Sequence, residues 1–213
     1  MTDDRKEFLI HMYDQMLNDI NRHIMVVWQS VAVLIGAFAI FALVEKHIIN
    51  LDVAVSIIVL LTAWLMAHLF DAGYWYNRNL AIIANIERQF LTKADLHNIH
   101  YYFGAHRPKN RMLGHLKIQF FLGIVLLAIV IVYHLGTRVV PSLAACSSID
   151  LSLCLPYLVL LASIGYLIWL KRNRNESYAE FLKNSPGAEV DTTGIEYGVG
   201  HAHGSVTSRE NCE

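Results

Sequence analysis

Four apolar runs decide what this chain can fold into. They cover residues 24–44, 53–70, 118–135 and 151–170, and none contains Asp, Glu, Lys or Arg. A helix rises about 1.5 Å per residue, so roughly 18–20 residues cross a hydrocarbon core of about 30 Å. A helix also satisfies its own backbone hydrogen bonds, as lipid demands. Buried helices of a soluble bundle would keep a polar stripe on each turn. Residues 125–132 read VLLAIVIV, apolar on all sides. Hydrophobic residues make up 55% of the chain and charged residues 16%, against about 25% charge in a soluble domain. The expected fold class is all-α: a polytopic membrane protein with four transmembrane helices. A disordered chain, a disulfide-rich toxin and a water-soluble enzyme are excluded. The net charge of −1 supplies no basic field for direct nucleic-acid binding.

Lysine and arginine set the orientation. Fifteen of the seventeen fall before run one, between runs two and three, or after run four. Only Lys46 and Arg138 lie on the other side. Both termini are therefore expected in the cytoplasm of an inner (plasma) membrane protein. Charges are scattered through residues 1–23, unlike a cleavable signal, so run one is expected to stay as an anchor. Tyr74, Trp75, Tyr76, Tyr166 and Trp169 suit the headgroup level.

The expected organisation follows. Residues 1–23 form a cytoplasmic amphipathic helix, with Leu9, Met12, Met16, Ile20 and Ile24 on one stripe. Residues 24–73 hold spans one and two. Residues 74–117 continue span two as a cytoplasmic helix and end in a basic connection. Ile82, Ile86 and Phe90 repeat every four residues there, and no proline or glycine interrupts 74–103. The two extensions are expected to pack as a cytoplasmic helical stalk. Residues 118–170 hold spans three and four, and 171–213 form a cytoplasmic, mostly flexible tail rich in Gly, Ser and Thr from residue 184 on. Residues 109–117 can lie on anionic headgroups.

Chemistry-bearing patterns are sparse. The runs hold few polar residues, among them Gln29, Ser56, Thr62, His68, Gln119, His134 and Ser163. Without an ionisable group deep in a span, a coupled transporter is disfavoured. Eleven histidines raise haem and metal readings. His23 with His68, and His47 with His134, fall near opposite faces, and His97 and His100 form HxxH. None of these spacings completes a zinc site. Arg5 with His11 matches a spacing used by small helical nucleases, without supporting context. No cofactor, catalytic residue or metal ligand is assigned. Cys146 and Cys154 can form a small disulfide loop if their face is oxidising. Ala32 and Gly36, and Ala63 and Ala67, are small residues four apart that permit close helix approach. With Gln29 they are the candidates for oligomerisation or for lining a pore.

The segments MYDQMLNDINRH (residues 12–23) and YWYNRNLAIIANIERQFL (residues 74–91) give residues 9–103 a resemblance. The region resembles small multi-pass accessory proteins of bacterial anti-phage operons, those of RNA-targeting CRISPR loci and of adenosine-deaminase systems. The resemblance implies a membrane part that oligomerises and perturbs the bilayer, or modulates a partner, and it carries over no catalytic residue. The expected function is non-enzymatic. The protein would self-associate in the bilayer as a homo-oligomer, form a pore or leak, or modulate a cytoplasmic protein through the stalk. The alternatives are a membrane enzyme or redox protein using metal or haem, and a passive scaffold.

Overall fold

A computed structural model of the chain describes residues 2–92, 95, 109–144 and 150–185, with the backbone alone at residues 26, 27, 29, 30, 33 and 34. The described residues are helical almost throughout and contain no strand. α1 is Asp3–Glu45 and α2 is Leu51–Phe90. α3 is Gly114–Ala144 and α4 is Leu151–Asn184. α2, α3 and α4 are each long and apolar enough to cross a membrane. The first apolar run lies within α1.

α1 and α2 are longer than a span requires. Their 43 and 40 residues make helices of roughly 65 and 60 Å, twice the thickness of a hydrocarbon core. The chain reverses between them within residues 46–50. Ile48 N–H donates to the Leu43 carbonyl at 3.0 Å and His47 N–H to the Val44 carbonyl at 2.9 Å. These two bonds close α1 in a Schellman motif. His47 takes the left-handed backbone at φ 57°, where a side chain is strained and glycine is preferred. Asn50 then caps α2, its Oδ1 accepting from Val53 N–H at 2.8 Å. His47→Gly is therefore expected to stabilise the fold by about 1 kcal/mol. Thermal melting in detergent should rise by about 2–4 °C, and a lower midpoint would contradict this account of the turn.

α2 is the centre of the molecule. α1, α3 and α4 pack on it more than on one another. In α2 56% of the apolar stretch is buried, against 17% in α3 and 11% in α4. Val55, Ile58 and Val59 of α2 meet Ala37 and Val130. Leu65 and Leu69 meet Leu113 and Leu116. Leu80 and Ile83 meet Ile20 of α1. α3 comes close to α2 at Gly123, where a Cβ would stand 3.3 Å from the Met66 methyl. Two hydroxyls in this apolar setting bond back into α2. Ser56 donates to the Asp52 carbonyl at 2.7 Å, and Thr62 to that of Ile58 at 2.8 Å.

The helices stay together beyond the apolar runs. Tyr13 donates to Glu87 at 3.3 Å, joining α1 to α2. Tyr178 of α4 is buried, with its ring edge-on to Tyr74. The Arg78 guanidinium lies 4.9 Å from the Trp75 ring centre and 5.5 Å from that of Phe181. Residues 171–184, grouped with the tail by composition, thus continue α4 as helix. Residues 186–213 lie outside the described residues. α2 ends at Phe90, although the pattern alone would let it run to residue 103. Thr92 and Asp95 exchange hydrogen bonds in a capping-box pattern, with Thr92 N–H donating to Asp95 Oδ2 at 2.8 Å. Such local bonds compete with continuing the helix. The Thr92 hydroxyl also holds the Asp95 carboxyl below its ordinary pKa.

Candidate functional site

Three helices meet at one carboxylate. Asp52 is the second residue of α2 and has no accessible surface. A helix N-terminus favours a negative charge at this position. Asp52 Oδ1 accepts from Arg138 Nε at 3.1 Å and lies 2.9 Å from His134 Nε2. Its Oδ2 accepts from Arg138 Nη2 at 2.9 Å and from the Ser152 hydroxyl at 2.8 Å. His134 and Arg138, four apart on α3, share a face. Ser152 belongs to the 3-10 turn Leu151–Cys154 that opens α4. Its backbone N–H donates to Asp150 at 3.0 Å, which holds the Asp150 carboxyl below its ordinary pKa.

Proline shapes the α3 part of the site. Pro141 has no N–H to give and crowds the carbonyl four residues back. The helix widens just before it into a π turn, Leu135–Val139, in which Val140 N–H reaches the Leu135 carbonyl. Thr137 bonds back to the Tyr133 carbonyl at 2.8 Å. π turns of this kind often accompany functional positions. Arg138 leaves the helix from this turn, with 41% of its side chain exposed and its charge on the buried carboxylate.

His134 is as buried as Asp52. Its Nδ1 lies 2.9 Å from the Tyr157 hydroxyl of α4. A neutral imidazole with its proton on Nε2 fits both contacts, donating to Asp52 and accepting from Tyr157. The carboxylate charge is already matched by the two-point contact from Arg138. A buried carboxylate without partners would cost several kcal/mol, roughly the desolvation of one ion; here the contacts come from α3 and from the turn that opens α4. The Ser152 hydroxyl bonds Asp52 and not His134, so these groups are not ordered as nucleophile, base and carboxylate. What the arrangement does is tie α2, α3 and α4 together at one end through a charge that only the folded bundle can hold.

The residues singled out from sequence are scattered around this site. Ala32 is exposed on α1, and a Cβ on Gly36 would meet nothing within 4 Å. Ala63 is buried and, with Ala67, lines a groove of about 640 Å³ between α2 and α4. The Gln29 side chain and Cys146 lie outside the described residues, while Cys154 is exposed at the end of the 3-10 turn. His68 lies edge-on against Trp64 and His23 stacks on Trp75, so each pairs with a tryptophan. His97, His100, His106, His201 and His203 lie outside the described residues. Among the described residues, no three His, Cys, Asp or Glu side chains converge as metal ligands. Arg5 donates to Gln89 at 3.4 Å, away from His11.

Asp52 and Arg138 lie just outside the apolar runs, within residues 45–52 and 136–150, where a charge carries no sign of burial. The usable signal was the pair His134 and Arg138, four apart at the end of a run, opposite an acid at the start of another. A second polar layer lies at the far ends of the same helices, where Asp71 of α2 pairs with Arg174 and where Lys117 and Lys171 line one cavity. Along each helix the two layers are separated by about 18 residues, or about 27 Å. Comparisons with protein-family models, curated proteins and solved structures find no match for this chain.

Proposed function

We propose that the chain is a non-enzymatic, four-span protein of the inner membrane with both termini in the cytoplasm. It self-associates through α1 and modulates a cytoplasmic partner through the helices that leave the bilayer. The spacing of the two polar layers supports the membrane frame, because about 27 Å matches a hydrocarbon core. α1 shares that frame. His23 stacks on Trp75 near one layer, and Phe41 packs edge-on to Tyr133 beside the other. The first apolar run occupies the interval between them. The basic majority then lies on the Lys117 and Lys171 side, which makes it the cytoplasmic one. On that side α1, α2 and α4 continue as the stalk.

One observation carries the self-association. Gly36 of α1 faces open space, and Ala32, one turn away, is exposed. Small residues on an uncovered helix face let a second helix approach closely in lipid. Ala63 is already used inside the chain. The bundle interior is apolar at Val55, Ile58, Val59, Leu65 and Leu69. A leak path would thus run between copies, which makes partner modulation the better-supported activity. Such a module suits the accessory role that the resemblance implies.

Particle mass in mild detergent, with the detergent subtracted, tests this. The wild-type protein is expected as a defined oligomer, and Gly36→Leu as monomer at the same concentration. A monomeric wild type, or an unchanged mass for Gly36→Leu, would overturn the assignment of α1 as the interface.

A further inference from the structure

The cavity at the second polar layer has a volume of about 460 Å³ and an unbalanced charge. Arg111, Lys117, Lys171 and Arg174 line it, together with Asn110 and Asn175. Arg174 Nη2 lies 2.7 Å from Asp71 Oδ1. No ion pair involves Arg111, Lys117 or Lys171 among the described residues. Arg174 Nε is buried and has no hydrogen-bond partner among the described residues. The cavity is built, because its loop is pinned from behind. Asn77, fully buried on α2, donates to the Arg111 carbonyl at 2.9 Å and to Asn110 Oδ1 at 3.2 Å. Asn110 in turn donates to Asn175 Oδ1 at 3.3 Å, which closes the loop onto α4.

The position of the cations selects the ligand. Lys117 directly precedes the third apolar run and Lys171 directly follows the fourth. Both therefore stand where hydrocarbon ends. Phe70 and Phe120, with ring centres 5.3 Å apart, form an apolar wall of the same cavity. Three cations without a carboxylate, two side-chain amides and an apolar wall match a phosphate that carries acyl chains. Basic cavities between spans at the cytoplasmic face hold anionic headgroups by this combination. We infer that this cavity is a binding site for the phosphate of one anionic phospholipid, wedged between α2, α3 and α4. The inference rests on the membrane frame proposed above.

Native mass spectrometry of the full-length protein, released from nanodiscs of phosphatidylglycerol and phosphatidylcholine in equal parts, tests it. Retention of one phosphatidylglycerol per chain, about tenfold or more over phosphatidylcholine, is expected. The triple variant Arg111→Gln, Lys117→Gln, Lys171→Gln should lose that preference. These three side chains are exposed, so the variant should keep the helical circular dichroism of the wild type. Lys46→Gln, at the opposite end, should keep the preference. Equal retention of both lipids, or a triple variant that still prefers phosphatidylglycerol, would overturn the site. Displacement of the lipid by millimolar glycerol phosphate would show a site for soluble phosphate and would also overturn the lipid assignment. Failure of the wild type to enter nanodiscs would instead overturn the membrane frame.

Discussion

Asp52→Ala is expected to destabilise the protein by about 2–6 kcal/mol, because two donors are left without an acceptor at about 1–3 kcal/mol each. The expectation follows from the atoms left behind. His134 has no accessible surface and would lose the acceptor for its Nε2 proton. Ser152 would lose its acceptor as well. Arg138, with 41% of its side chain exposed, can swing its charge outward, so its share of the loss is smaller. Asp52→Asn keeps the shape but turns an amide group toward the donors of Arg138, and should fall between alanine and wild type. A thermodynamic cycle of Asp52→Ala, Arg138→Met and the double variant, read by thermal unfolding in detergent, measures the coupling. A coupling of about 1–3 kcal/mol is expected for groups in one network. A loss below about 0.5 kcal/mol for Asp52→Ala, the range of ordinary surface substitutions, would show that the site does not tie the helices together.

The second large effect is expected far from that site. Tyr178→Ala should cost about 3–5 kcal/mol, as truncations of large buried aromatics do. Tyr178 is only 2% exposed, and its ring meets Tyr74 and Phe181. It lies two turns past the end of the fourth apolar run, so the loss should be local. Amide exchange in residues 174–184 should accelerate while residues 155–170 keep their protection. Exchange unchanged in residues 174–184 would mean that this end of α4 is held by something other than its packing on α2. Uniform acceleration along all of α4 would mean that its apolar run and its C-terminal turns unfold as one unit.

How much of this was legible in the sequence depends on the kind of signal. Apolar runs report helices directly, because lipid removes the polar stripe and leaves length as the only requirement. The same simplification hides the packing. α3 and α4 read as apolar on every side, so nothing in their patterns says which face meets α2. The stripe through Met16 and Ile20 was informative because it lies outside the runs, where polar residues mark the free faces. Asp52 is hard to read from sequence for a related reason. A charge next to a turn reads as part of the turn, and only its partners show that it is buried.

The sequence by itself determined that the chain is helical and apolar enough for a membrane, and that fifteen of its seventeen basic residues fall before the first apolar run, between the second and third, or after the fourth. These follow from composition and spacing along one strand of chain. The tertiary structure alone decided that α2 is the core and that Asp52, His134, Arg138, Ser152 and Tyr157 form one network. It also decided that Arg111, Lys117, Lys171 and Arg174 surround one cavity. Those groups are up to about a hundred residues apart, and hydrogen bonds and ion pairs act over about 3–4 Å. No local pattern encodes such distances; only the way three helices lean on a fourth brings the groups within reach.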